Sequence, residues 1–447
     1  MTPDVDVAVV GAGVSGLSLA YTLRKAGLTV GVFEAADRVG GRMRTRRHRG
    51  YLIDEGAETV PSSGNPATWS LIRELGIGED EVPRIGTSLA LWRDGRVHHH
   101  LGRPLAVLTG AGLSVRGRLD LARFTAWTGR RRRAFDPDHA ERTPLGEMTV
   151  AGLGKRFGRE LHDYLFQPIT GGFFGWHPES SAAAPFVSLL LAAGSSARWR
   201  TYRDGMDTLA GRLAERVDVT TGFAVREVIS EPGSARIVGD HATVTARTVA
   251  LCVPAPIARE LHVNPPKDER PFLTAATYTP MLRVSALLDR PLEPPSGRPT
   301  YALVIPATED RVISVIMVDH NKDPGRAPRG CGLVTLLTCP PATRELIDAP
   351  DEEVVRHLTE QGERYLPGLR RATVDTSVHR FRCGLPEATP AAVALRPDFL
   401  ARPTRSVDYA GDWLTLRPAS EGALRSASLT AQRILARTDD PRATTRS

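Results

Sequence analysis

Three glycines, Gly11, Gly13 and Gly16 of the segment GAGVSG, follow a Val-rich run over residues 5–10 and precede helically spaced apolar residues over 17–26. In a strand–turn–helix unit of this kind the first glycine permits the tight turn, the second admits a pyrophosphate and the third lets the helix pack closely. Backbone amides at the helix N-terminus then bind phosphate. Glu34 ends the next apolar run, about 20 residues on, where a carboxylate accepts hydrogen bonds from ribose hydroxyls. An acid at this point favours an adenosine without a 2′-phosphate, so FAD or NAD over NADP. Downstream, Gly40 and Gly41 let the backbone approach a ligand, and Arg42 supplies a forked cation for phosphate. His98, His99 and His100 lack a carboxylate or cysteine at ligand spacing, so the run reads as a hairpin exit and no metal site is expected.

The elements that must position these groups can be read along the chain. Strand, helix and strand fill the first 34 residues, and GYLIDEGAETV reads as a short strand entering a loop. Residues 86–200 are mostly helical in pattern, with an Asp94-Gly95 hairpin signal and a basic run at 130–133. Strand alternation returns at 217–230 and 244–254. Pro-rich punctuation then brackets strands at 282–288, 300–305, 312–318 and 333–338, which form a second sheet. A helix over 351–365, a strand at 407–410 and a helix over 420–437 complete the pattern, with a frayed tail beyond.

ADRVGGRMRT, which contains Arg38, Gly40, Gly41 and Arg42, resembles the segment that the flavin amine oxidase and protoporphyrinogen oxidase superfamily places after its second strand, where it wraps the FAD pyrophosphate and flavin edge. That resemblance selects FAD over NAD. AGDWLTLRPASEGALRSA, from residue 410, resembles the C-terminal FAD signature of carotenoid-type desaturases and protoporphyrinogen oxidases. It implies that Gly411 and Asp412 meet the ribityl and pyrophosphate region. It also implies that a helix beginning near Glu421, Gly422 and Ala423 aims its positive end at the flavin. Residues 202–229 resemble the family segment whose Val225 position lies against the adenine, and residues 156–183 are most similar to protoporphyrinogen oxidases.

The implied fold is α/β: a discontinuous FAD-binding Rossmann-like domain of the glutathione-reductase-like class (1–84, 203–264 and 400–440), a helical insertion (85–202), a mixed-sheet substrate domain (265–399) and a flexible tail (441–447). FAD is expected to be noncovalent, because neither histidine nor cysteine stands in the C-terminal signature. Amine oxidases of the family carry a lysine near flavin N5 in a second-sheet strand. The matching strand, TPMLRVSALLD, has Arg283, read as an ordinary sheet-edge arginine. Of the four lysines, Lys25, Lys155, Lys267 and Lys322, none is well placed by sequence. Phe173, Phe174 and Trp176 could line an apolar substrate cavity.

The leading expectation is therefore an oxidase or dehydrogenase of an apolar, conjugated or polycyclic molecule, passing hydride from a C–H bond to flavin N5 with O2 or a quinone as final acceptor. No catalytic acid or base is legible. An amine or amino-acid oxidase is the second reading. A redox-silent binding protein of the Rab GDP-dissociation-inhibitor type is the third, and the intact glycines, Glu34 and Arg42 count against it.

With 41% hydrophobic and 24% charged residues, the 447-residue chain has the composition of a globular enzyme with more than one core. Its net charge of +7 is spread along the sequence without a nucleic-acid module. Four cysteines without CxxC spacing, no legible signal peptide and no apolar run of spanning length point to a cytoplasmic protein. The run at 130–133 leaves peripheral contact with acidic lipid open.

Overall fold

Strand Val5–Val10 is buried on both faces along most of its length, and its sequence VDVAVV is correspondingly apolar almost throughout, as central parallel strands are. In the computed structural model, which describes residues 3–102 and 112–438, this strand pairs in parallel with Val30–Phe33 on one side and Thr243–Leu251 on the other. Asp218–Thr220 extends the sheet beyond Val30–Phe33, and Val407–Tyr409 adds beside the C-terminal half of Thr243–Leu251. Val225–Glu231 and Ser234–Gly239 fold back antiparallel along its N-terminal half. One sheet thus gathers the beginning, middle and end of the chain.

A second seven-stranded sheet runs in the order Thr373–Pro386, Tyr278–Leu288, Gly332–Thr338, Ile313–Val318, Thr300–Val304, Ser88–Arg93, Arg96–Leu101. The hairpin of Ser88–Arg93 and Arg96–Leu101, grouped with the helical insertion by sequence, instead belongs to this sheet, because Ser88–Arg93 pairs in parallel with Thr300–Val304. The longest strand, Thr373–Pro386, gives no apolar alternation in sequence: its buried positions include Ser377 and His379. The chain between Arg96–Leu101 and the middle strands of the first sheet supplies helices Val115–Arg130, Val150–Phe157, Gln167–Phe173 and Ala183–Ala193, with a five-residue π-helical segment at His162–Phe166. The expected tail at 441–447 lies outside the described residues, as does the side chain of His100. Among the described residues no helix is long and apolar enough to cross a membrane. No cluster of three or more histidine, cysteine or acidic side chains is suited to a metal there either.

Two interior histidines make stability depend on pH. Burial, reinforced by Arg405, pushes His262 down to about 4, where its ring bonds the hydroxyls of Tyr409 at 2.6 Å and Ser230 at 2.8 Å. Burial, then Arg283 and other arginines, pushes His379 down to about 3. The folded state holds both neutral, whereas the unfolded chain protonates them below their ordinary value of about 6.5. The unfolded state therefore binds more protons between about 6.5 and about 4, and stability falls as pH falls through that window, by up to ~1.4 kcal/mol per pH unit for each histidine. Denaturant midpoints measured from pH 7 to pH 4.5 are expected to decline, and less steeply in His379→Gln.

Candidate flavin site

A single cavity of about 1110 Å³ runs from the glycine turn, between the sheets, to the helical layer. At its first end Gly11 has φ +102°, and a Cβ there would lie 2.8 Å from the Cys252 carbonyl oxygen, so only glycine holds the turn. A Cβ on Gly16 would lie 2.0 Å from the Gly11 oxygen, which is why the helix Val14–Lys25 can sit so close to the turn. Gly13 lines the cavity, and a Cβ there would meet no protein atom within 4 Å, so the backbone at this point opens onto the cavity. Glu34 lines the same end and accepts hydrogen bonds from the amides of Ala12 at 2.7 Å and Ala36 at 2.9 Å. A dinucleotide with an open 2′-hydroxyl fits this cradle, and FAD is the group the rest of the cavity has room for. Glu34→Ala removes charge-assisted hydrogen bonds of about 1.5–3 kcal/mol. The variant is therefore expected to retain FAD ten- to a hundredfold less tightly, measured by equilibrium dialysis, an effect larger than its disturbance of folding.

Gly40, Gly41, Arg42, Gly411, Asp412 and Ala423 line the middle of the cavity, so the second and last motifs converge as the sequence places them. Arg42, expected to supply a forked cation for phosphate, lines the cavity and also bonds to protein. It donates to Asp412 Oδ1 at 2.9 Å and to the Gly384 carbonyl at 2.9 Å, and its guanidinium carbon lies 5.5 Å from the Tyr278 ring centroid. Tyr278 donates to the same Asp412 oxygen at 3.1 Å. Burial opposes the Arg42 charge, but Asp412 and Tyr278 outweigh it and raise its pKa. Burial and Asp412 together lift the Tyr278 phenol well above its ordinary value.

Several residues singled out in the sequence do not line the cavity. Arg38 bonds Thr45 O and Glu55 instead. Val225 packs half-buried in the core that includes Phe33. Glu421 is fully buried and accepts from the amides of Ala67 and Thr68 at 3.1 and 2.8 Å, capping the helix Pro66–Glu74. Gly422 is there for packing, since a Cβ would lie 2.2 Å from Arg417 O. Phe173 and Phe174 do face the cavity. Trp176 does not: it is wholly buried, with its indole donating to Pro386 O at 2.8 Å.

Arg283 corrects the sequence reading more sharply. It lies in the interior of the second sheet, on the strand Tyr278–Leu288 between two partners, and is 1% exposed. It donates to Gly56 O at 2.7 Å and to the Glu58 carboxylate. Lys322, set aside as badly placed, is fully buried one side chain behind the cavity wall. It bonds Glu58, Asp54 at 2.8 Å and Asp319 at 3.3 Å, while Arg326 reaches Asp54 at 2.8 Å. Three carboxylates thus face three cations in the interior. Although burial is the largest influence on Asp54 and works to raise it, Lys322 and Arg326 prevail and lower its pKa. Burial likewise works to lower Lys322, but Asp54 and Glu58 prevail and raise it. For Glu58 burial is the larger influence and lifts its carboxyl, opposed by Arg283 and Lys322. Of this network only Glu58 lines the cavity. Its members are far apart in sequence, so no local spacing could have revealed it; Lys322, rare as a lysine in an arginine-rich chain, was the one available hint.

Comparison with known proteins agrees with this geometry. The family described as "Flavin containing amine oxidoreductase" matches residues 14–435. Protoporphyrinogen oxidase 2 of Arabidopsis thaliana is 35% identical over 231 residues, 51% of this chain and 42% of that protein. Coproporphyrinogen III oxidase of Mycobacterium tuberculosis is 28% identical over 217 residues, 47% of each. These matches cover less than half the length of either curated relative. Among solved structures, putrescine oxidase bound to putrescine superposes with a TM-score of 0.78 at 20% identity, over 97% of this chain and 99% of that one, which shows a shared fold. The chain belongs to the flavin-containing amine oxidoreductase family.

Proposed function

We propose that the enzyme dehydrogenates an apolar, conjugated or polycyclic molecule at a C–H bond. The observation that carries this reading is the charge state of the cavity wall. The acidic residues lining it are Glu34, Glu58 and Asp412, and each is already engaged: by backbone amides, by Arg283 and Lys322, and by Arg42 and Tyr278. No lysine lines the cavity among the described residues. A substrate ammonium would find no free carboxylate, whereas the far arm offers Leu121, Phe124, Tyr164, Leu165 and Phe173. The 35% identity to a protoporphyrinogen oxidase supports the same substrate class.

Bound flavin supplies the hydride acceptor. The chain's own contribution is to orient the substrate and exclude water. The apolar arm binds by area and the Arg42–Asp412–Tyr278 bridge fixes the wall opposite. At the rim Arg382 lines the cavity while pairing with Asp348; both side chains are largely exposed, so the arginine can exchange that partner for a substrate carboxylate. Either O2 or a quinone serves as final acceptor, and FAD is held noncovalently, so acid denaturation releases it from the polypeptide.

Anaerobic mixing isolates the reductive half-reaction. A conjugated or polycyclic hydrophobic reductant is expected to bleach the oxidised flavin band, whereas simple aliphatic amines and free amino acids leave it intact. Rapid bleaching by an amine, with an equal amount of imine or aldehyde formed, would replace this reading with that of an amine oxidase.

A further inference from the structure

Helix Val115–Arg130 has two working faces. Leu121, Phe124, Thr125 and Thr128 line the flavin cavity, whereas Arg123, Ala126, Trp127 and Arg130 line a separate hollow of about 360 Å³. The two sets share the i, i+3, i+4, i+7 spacing and are offset by two residues, about 200° around the helix, so they point to opposite sides. Arg131 and Arg156 complete the rim of the hollow. The Arg156 guanidinium stands 4.5 Å from the Trp127 ring centroid and that of Arg131 5.2 Å.

Four guanidiniums converging on one hollow repel one another unless counter-charge is supplied. Arg123 has Asp120 at 2.8 Å. Among the described residues Arg130, Arg131 and Arg156 have no carboxylate partner and no side-chain hydrogen bond, their contacts being with ring faces or solvent. Stacking on an aromatic ring fixes the plane of a guanidinium and leaves its edge N–H groups free to donate. Planar forks held in this way, with no protein acceptor, match the oxygens of a phosphate group. The floor is firm as well, because Trp127 packs against Phe135 and Phe157, both at 5.5 Å between centroids. Phe157 in turn meets Phe124, which lines the cavity, at 5.2 Å.

We propose that this hollow is a binding site for a phosphate monoester, seated by Arg130, Arg131 and Arg156 over Trp127. The same chemistry is offered by a soluble phosphate ester and by the headgroup of phosphatidic acid. The test uses the FAD-loaded protein at low ionic strength with two probes: glycerol 3-phosphate followed by calorimetry, and phosphatidylcholine vesicles with or without phosphatidic acid followed by cosedimentation. The variant Arg131→Gln/Arg156→Gln alters the seat, and Arg132→Gln/Arg133→Gln removes the same charge from neighbours that do not line the hollow. Flavin-to-protein ratio verifies that each variant is folded.

Saturable 1:1 binding of glycerol 3-phosphate, weakened about tenfold or more by the first variant and unchanged by the second, supports the site with a soluble ligand. Capture only by phosphatidic acid vesicles, with the same dependence on the two variants, supports it with a lipid source. Absence of binding to either probe, or equal weakening by both variants, overturns it in favour of a diffuse basic surface.

Discussion

Lys322→Met is expected to destabilise the protein by about 3–5 kcal/mol, the range found when one partner of a buried ion pair is removed and the other is left uncompensated. Lys322 is wholly inaccessible, and its ammonium holds Asp54, Glu58 and Asp319 together. Methionine matches the length of the stem, so the loss comes from charge and not from a void. Asp54 would keep Arg326, and Glu58 would keep Arg283, but Asp319 would retain only the Thr335 hydroxyl at 2.8 Å. Thermal midpoints of the holoprotein read the effect. Lys25→Met is the control, since that lysine is exposed and pairs with Glu74 at the surface. Equal midpoints for the two variants would show that the network contributes no more than a surface pair. Adding Asp319→Asn to Lys322→Met is expected to recover part of the loss, because it removes the stranded charge.

Arg42→Ala is expected to have the second large effect, on stability and on cofactor retention together. Asp412 is 5% exposed and lines the cavity, and without Arg42 it keeps only the Tyr278 hydroxyl as a side-chain donor. A stranded carboxylate at that depth costs about 3–5 kcal/mol, and its negative charge would face the cavity uncompensated. The flavin-to-protein ratio after exhaustive dialysis should fall several-fold, and the apoprotein should also melt earlier than wild-type apoprotein. Arg42→Lys keeps the charge but cannot reach Asp412 and Gly384 O with one planar fork, so an intermediate ratio is expected. A wild-type ratio and melting point in Arg42→Ala would reduce the bridge to an incidental contact.

The parts of the site legible in the sequence are those whose chemistry is local. Gly11, Gly13 and Gly16 are dictated by a six-residue segment that turns and enters a helix, Glu34 by the end of the next strand, and Gly411 with Asp412 by a strand leading into a short turn and a helix. Residues whose role depends on what crosses above them were not legible. Arg283 and Glu58 are 225 residues apart in sequence, and nothing around either announces the other. Strand Thr373–Pro386 escaped notice because VDTSVHRFRCGLP carries its polar residues inward, Ser377 and His379 among them. Trp176 looked like a cavity wall because aromatic residues cluster around it, yet its indole nitrogen needed an acceptor, and Pro386 O draws it into the core. Glu421 sits within the flavin signature but serves a neighbouring helix, a division of labour between adjacent residues that composition cannot separate.

The Arg42–Asp412 bridge also sets a timetable for biosynthesis. Its partners lie 370 residues apart, so at about 5–20 residues per second the ribosome needs roughly 20–70 s between making one and making the other. During that interval the nascent chain already carries the glycine turn and Glu34. It has neither the strand Val407–Tyr409 nor the helix Ser420–Thr438 that completes the cavity wall. Cofactor capture is therefore a late event, which waits until the strand Val407–Tyr409 and the helix Ser420–Thr438 have been made and have folded back onto the glycine turn.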